Sequence, residues 1–567
     1  MSSALLPVVE PIPFEPASQK YQTLRTSLLE KFAAAVPDAL KLPRSIIHNP
    51  PVDVTAIPRE CGILSAQEID ITENYDVTSL AQAIASKKFS AVAVATAFSK
   101  RAIIAHQLTC CLTEWFMREA VAQAEYLDDY LEKTGKPIGP LHGVPISVKL
   151  RISIAGHWSM AGTLDTLQKA TKDSQLIAIL RNAGAVFYCK TNQPQSLMHL
   201  ESLSIWGRTL NPFNINLSSG GSTGGEAALI ALRGSLFGLG TDIAGSVRAP
   251  AGYCGIFGFR PTSHVLPTKD FLLNVPGFAA ELNIMGCVGP MSTTLRDMDL
   301  FMNVVMSANP SIQDPQLIPT PWTPRRLEKQ PDGARLRIGF MMNDGVITPQ
   351  PPVTRALTWV RSQLEKSGFF DIKDFVPFRA AEAMKNLNSA YWPDGGRTLK
   401  RHLAMTSEPM LPLTAWAIKD VENIDIGVAG VLEQRGKRDL FRYEFAEHWA
   451  SQQVDIAICP VSVGPACMHD TTFYWNYTSF WNYVDCPGAT IPTPIKACRK
   501  GTEYYGSEDQ VPLSDECKHV RQLWAEGDFE GAPIAVQVIS RRYHDDELFT
   551  ALKTVNEVLE RSTSSRR

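Results

Sequence analysis

The chain has 567 residues, with 55 Lys or Arg against 58 Asp or Glu and a formal net charge of −3. That balance gives no general attraction to nucleic acid or anionic lipid, and no apolar run approaches the ~20 residues that a membrane-spanning helix needs. The opening "MSSALLPVVEPIPFEP" has no basic stretch before an apolar core and is broken by prolines, so it does not read as a secretory signal; the eleven cysteines then read as reduced thiols of a cytoplasmic protein.

In chain order, residues 1–135 read as a helical segment packed on the rest. "SLLEKFAAAVPDAL", "VTSLAQAIASKKFSAVAVATAFSKRAIIAHQL" and "EWFMREAVAQAEYLDDYLEKTG" repeat apolar residues at the spacing of one helix face. The last run stops at Gly135, a usual helix terminator. From 136 to 560 the pattern changes. "VPISVK", "AVFYCKTN" and "LFGLGTD" are short strand-like runs that alternate with helical stretches such as "SQLIAILRNAG" and "EAALIALRG". Such alternation predicts an α/β fold with a central mixed sheet flanked by helices. Residues 308–335 are proline-rich and polar and read as an exposed connection. After them "RLRIGFMMNDG" restarts a strand and "PPVTRALTWVRSQLEKSG" a helix, and the closing "RSTSSRR", residues 561–567, reads as a frayed tail.

Chemistry concentrates in three turn-rich segments: Lys149 in "PISVKL", Ser222 in "SSGGSTGGE" and Ser246 in "GTDIAGSVRAP". A serine hydroxyl needs a partner to take its proton before it attacks a carbonyl. A lysine serves only when burial keeps it neutral, and "GVPISVK" is an apolar run that would carry Lys149 inward. Glycines around Ser222 let main chain approach a ligand closely, and a helix starting near Glu226 would turn its positive end toward them. Ser246 follows a run that reads as a buried strand breaking into a tight loop, where the N–H groups of Ile243, Ala244, Gly245 and Ser246 would form an oxyanion hole. The same glycine run also fits the G-x-S-x-G elbow, which would make Ser222 the nucleophile and require a downstream histidine, His469 or His544. No H-E-x-x-H, paired C-x-x-C or Walker loop occurs. The sequence therefore offers no basis for metal or nucleotide chemistry, and no cofactor is expected.

These segments resemble the amidase signature family, whose glycine–serine core reads GGSSGGE and whose nucleophile loop reads GTDIGGS. Here the two are "GGSTGGE" over 220–226 and "GTDIAGS" over 240–246. The likeness runs from "DVTAIPRECGIL" near residue 53 to "GAPIAVQVISRR" near 531 and is greatest to the fungal acetamidase-type branch. It implies an amidase-signature fold over 136–560 and hydrolysis of a neutral carboxylic amide to acid and ammonia or amine. Ser246 would carry the acyl group, Ser222, joined to Gly221 by a cis peptide, would relay the proton, and Lys149 would be the final base. Leu197, in "TNQPQSLMHLES", would lie beside the acyl group, and "FYWNYTSFWNYVDCPG" near the entrance. No cofactor, nucleic acid or membrane enters such a reaction, and a homodimer is compatible with it.

Thr223 keeps the hydroxyl of the family's second serine, but two positions depart from the pattern. Leu150 stands where an acidic residue usually follows the lysine. Ala244 replaces a glycine, at a cost of roughly 1–2 kcal/mol if that position needs positive φ. The departures motivate a second reading, a degenerate amidase fold kept for binding. A third is the amidotransferase subunit of a transfer-RNA-charging complex, which shares the signature. The aromatics Trp475, Tyr477, Phe480, Trp481 and Tyr483 would form either an apolar channel or plain core; the channel reading expects arylalkyl or long-chain amides to be preferred over acetamide.

Overall fold

Unbroken apolar runs form strands buried on both faces, and this chain uses them to build the middle of one mixed sheet. The computed structural model describes residues 5–13, 18–271, 282–323, 335–509 and 511–564. Its main strands are β1 (Leu112–Trp115), β2 (Pro145–Lys149), β3 (Val186–Thr191), β4 (Phe237–Asp242), β5 (Phe257–Arg260), β6 (Cys287–Ser292), β7 (Leu336–Phe340), β8 (Phe370–Asp374), β9 (Ile456–Pro460), β10 (Gly488–Lys496) and β11 (Pro533–Ile539). They lie side by side in the order β1-β3-β2-β4-β6-β5-β10-β11-β9-β7-β8. β3, β2 and β4 run parallel, as do β9, β7 and β8; the remaining neighbours are antiparallel.

The parallel trio positions the chemistry. Lys149 stands opposite Thr191, and Val148 opposite Leu239, so the carboxyl ends of three strands finish at one edge. That edge is where open α/β sheets hold their ligands. Helix Ala91–Thr109 is buried on nearly every face and joins the largest apolar cluster with β2, β3 and β4. Helices Pro351–Ser367 and Asp545–Ser564 pack against the other half of the sheet.

Several local expectations change. The run 77–108 is two helices, Val77–Ala85 and Ala91–Thr109, because Lys87 turns to φ 60° and Ser90 caps the second. Within the segment read as helical, Leu112–Trp115 is the edge strand β1; the three-residue spacing of Leu112 and Trp115 imitates a helix face, and the helix proper starts at Met117. Gly135 does end that helix, with φ 68°. Residues 308–323 are mostly exposed, as expected, and are pinned at a few points: Pro310, Asp314 and Leu317 are buried, and Trp322 donates to Asp299 at 2.9 Å with its ring 5.2 Å from Phe549. The rest of that connection, 324–334, lies outside the described residues, as do residues 565–567. The last helix runs on to Ser564, so residues 561–564 continue a helix where a tail was expected. No described helix is long and apolar enough to cross a membrane. All eleven cysteines are free thiols, and all but Cys61 and Cys498 are buried.

One carboxylate of helix Leu295–Ser307 helps to fasten the N-terminal helix Val77–Ala85 to the rest of the fold. Buried Asp297 accepts the N–H groups of Val77 and Thr78 at 3.0 and 2.9 Å and the Thr78 hydroxyl at 2.8 Å. It thereby caps helix Val77–Ala85 from a distant element. Asp297→Ala strands those donors and is expected to lower unfolding free energy by about 1–3 kcal/mol, read by denaturant titration; an unchanged midpoint would show that the tie contributes nothing.

Candidate active site

Lys149 ends β2 with no exposed surface. Its Nζ lies 2.6 Å from Ser222 Oγ, 3.0 Å from Thr223 Oγ1 and 3.0 Å from Thr241 Oγ1. Burial drives the amine well below the ordinary lysine value and the charge of Arg151 adds to this, while Asp242 and Glu226 oppose it. The surroundings suit a neutral amine, which donates twice and accepts once. Thr223 gives its own proton toward the Thr241 carbonyl at 3.3 Å, so it takes one from Nζ, and the Ser222 hydroxyl is free to give.

The Gly221–Ser222 peptide is cis, and helix Gly224–Ala231 starts two residues further on. Thr223 N–H donates to the Ser246 carbonyl at 3.1 Å, which ties the glycine segment to the second serine loop. That loop is folded around Asp242. Its carboxylate accepts the N–H of Gly245 at 2.8 Å and of Val247 at 3.1 Å, Asn482 Nδ2 at 2.9 Å, and Arg248 at 3.1 and 3.2 Å. Burial alone would raise the Asp242 carboxyl, but Arg248, Arg260 and Asn482 together outweigh it and hold the acid well below the usual carboxylate range. From outside, Tyr391 OH donates to the Ile243 carbonyl at 2.7 Å and Thr478 Oγ1 to the Ala244 carbonyl at 2.8 Å.

Ser222, Ser246, Leu197 and Ile243 line one cavity, together with Thr241, Leu266, Phe271 and Leu317. Lys149 sits behind that wall, reached through Ser222. Ala244 and Gly245 do not line it, and the Gly245 N–H goes to Asp242, which takes that group out of the expected row of four donors. The anticipated strain at Ala244 also disappears. Positive φ falls on its neighbour Gly245, at 110°, where an added Cβ would come within 2.0 Å of Thr478 Oγ1. Leu150 fills an apolar cluster with Tyr21, Leu28, Met160 and Trp206, which explains why no acid is needed there.

The other candidates fall elsewhere. Trp475, Tyr477, Phe480, Trp481 and Tyr483 are core residues: Phe480 meets Phe441 and Phe445 edge to face, as Trp475 does Trp416. They are not an entrance lining, because helix Asn476–Tyr483 is enclosed by helices Ala380–Tyr391 and Gly427–Gln452. His469 is held at both nitrogens, by Glu201 at 2.7 Å and the Ile215 carbonyl at 3.1 Å, and His544 pairs with Glu547 on the exposed start of the last helix. Neither can serve Ser222, which removes the elbow reading. Sequence reasoning missed Asp242 and Arg248, although an acid and an arginine flanking "IAGSV" were visible. It also missed Arg151, a cation on the cavity wall.

Comparison with known proteins places the chain in a family. The profile of the Amidase family matches residues 93–549. A putative amidase of Schizosaccharomyces pombe is 38% identical over 93% of this chain and 97% of its own length. The acetamidase of Aspergillus oryzae is 35% identical over 96% of this chain and 99% of its own. Among solved structures, a fatty acid amide hydrolase superimposes with a TM-score of 0.89 at 30% identity, covering 97% of this chain and 98% of that one. Fold and relatives together define an amide hydrolase. The chain belongs to the Amidase family.

The loop geometry separates two neighbouring substitutions. Gly245→Ala must displace Thr478 and tilt the loop, and is expected to cut kcat/KM by about 100-fold or more, the scale of a lost oxyanion donor. Ala244→Gly relieves no strain and is expected to change kcat/KM by less than about threefold; steady-state kinetics on both variants decide, and a large gain from Ala244→Gly would contradict the φ assignment.

Proposed function

We propose that this enzyme hydrolyses neutral carboxylic amides through an acyl-enzyme on Ser246, with Ser222 as proton relay and Lys149 as base. The observation that carries the reading is the enclosed Lys149 amine, 2.6 Å from Ser222 Oγ, behind a cavity that Ser222 shares with Ser246. Ser246 Oγ attacks the amide carbonyl carbon while its proton passes to Ser222, whose own proton passes to Lys149. The oxyanion takes the N–H groups of Ile243 and Ser246. The ammonium of Lys149 then returns a proton through Ser222 to the leaving nitrogen, the C–N bond breaks, and ammonia or an amine departs. Water repeats the sequence on the acyl ester. Nothing in these steps requires a cofactor.

The degenerate-fold reading loses its motive, since Leu150 and Ala244 both fit where they stand. The amidotransferase reading gains no support from relatives named amidase and acetamidase over nearly the whole chain. For the substrate, the aromatic run gives no lining to the cavity, so the ground for a long-chain preference falls away. Leu197, Ile243, Leu266 and Phe271 favour a small or medium acyl group.

Ser246→Ala should abolish turnover in a folded protein, and a fluorophosphonate should leave one adduct, on Ser246; an adduct on Ser222 would sink the assignment. Because Lys149 must be neutral and its value is lowered, kcat/KM should rise with pH and level off well below the ordinary lysine value of about 10.4. Lys149→Ala should lose several orders of magnitude at every pH. In a panel graded by acyl size, propionyl-to-benzoyl amides should lead; a long-chain amide ahead by tenfold, about 1.4 kcal/mol, would refute the size reading.

A further inference from the structure

One buried acid beside the site has no part in the proton relay. Glu226 is fully enclosed in the first turn of helix Gly224–Ala231, just after Ser222 and Thr223. Its two carboxyl oxygens reach two different strands: Oε2 bonds Ser147 Oγ, and Oε1 accepts the Thr191 hydroxyl at 2.9 Å. Ser147 precedes Lys149 by two residues on β2 and so shares its face of the strand. Thr191 is the residue of β3 that stands opposite Lys149. The third strand yields space: at Gly238 of β4 a Cβ would fall 2.1 Å from Glu226 Oε2 and 2.8 Å from Ser147 Oγ.

We propose that Glu226 is the positioning residue of the Lys149 amine: it fastens the ends of β2 and β3 to the helix that begins beside Ser222, and its charge tunes the charge of the amine. The proposal rests on the Ser246–Ser222–Lys149 reading and adds to it. The charged and titratable groups around the pair are few enough to name. Lys149 from β2 and Lys190 from β3 both act on Glu226; Arg151 beyond β2 and Asp242 from β4 act on Lys149; Tyr188 and Cys189 of β3 and Cys111 before β1 also feel the acid. Burial pushes the Glu226 carboxyl up to about 8, against Ser147, Thr191 and the two lysines. Burial likewise brings Lys190 down to about 7. Glu226 and Lys190 therefore exchange protons over neighbouring pH ranges, and Lys149, itself lowered, is coupled to the same acid. While Glu226 is ionised, Lys149 keeps its proton more firmly; a neutral side chain of the same shape releases it at lower pH.

A purely structural tie makes a different forecast, since it would change stability or rate at every pH and leave the midpoint where it was. The test is the rate at which a fluorophosphonate labels Ser246, followed against pH in the full-length wild type and in Glu226→Gln, Glu226→Asp and Ser147→Ala. Glu226→Gln should remain folded, label only Ser246, and move the midpoint of the acidic limb down by about 0.5–1 pH unit, the scale of one nearby charge. Glu226→Asp, which keeps the charge, should label more slowly with its midpoint closer to wild type. Ser147→Ala removes a bond that favours the carboxylate, so Glu226 becomes neutral more readily and the midpoint should move the same way by less; it also serves if Glu226→Gln does not fold. A wild-type midpoint in Glu226→Gln, or in Ser147→Ala should the first be unfolded, would overturn the proposal and leave the triad standing. Failure of wild-type Ser246 to label at all would strike the triad reading, and this inference with it.

Discussion

An amine is enclosed at the end of β2 with three hydroxyls around it and no carboxylate against it. Moving an unpaired ammonium into such a place costs several kcal/mol, and burial accordingly brings the amine well below the ordinary lysine range. The rest of the site answers that constraint. Three parallel strands must end together for Lys149, Thr191 and Thr241 to meet, and the glycine segment must come in tightly enough to bring Ser222 and Thr223 to the same nitrogen.

The second serine loop is governed by an opposite solution. Asp242 and Arg248 are charged, buried and paired, and Asn482 and Gln537 satisfy the donors and acceptors that remain. A buried ion pair is favourable only when its other polar atoms are met in this way. The two strategies sit on neighbouring strands: an amine enclosed among hydroxyls, and a charged clamp satisfied by polar partners. Their proximity is not neutral, because Asp242 holds the Lys149 proton a little more firmly.

Much of this was legible in the sequence, for reasons that can be named. "VPISVK", "AVFYCKTN" and "LFGLGTD" became β2, β3 and β4 because strands buried on both faces cannot carry helix-like spacing, and the three signature segments did converge on one edge. β1 was misread because a four-residue edge strand is too short to show its period. The aromatic run was ambiguous because composition does not say whether an apolar surface faces ligand or protein. Ala244 was suspected when Gly245 carried the positive φ, since a run of small residues hides which one turns. Tertiary partners were the least visible: Tyr391 and Thr478 stand far along the chain, and nothing local marks them as contacts of the Ile243 and Ala244 carbonyls.

Those two hydroxyl latches have a consequence for how the enzyme comes into being. A peptide unit is planar, so fixing a carbonyl also fixes the N–H of the following residue. Tyr391 and Thr478 thereby set the peptide planes of a loop laid down more than a hundred residues earlier. Lys149, Ser222 and Ser246 all lie in the amino-terminal half, yet two carbonyls of the Ser246 loop are held by the carboxyl-terminal half, in addition to the loop's own bonds to Asp242 and Thr223. During synthesis the amino-terminal half emerges with its lysine and both serines while this loop still lacks two of its ties. The loop's full set of ties is thus a property of the whole fold, complete when the carboxyl-terminal helices close over the sheet.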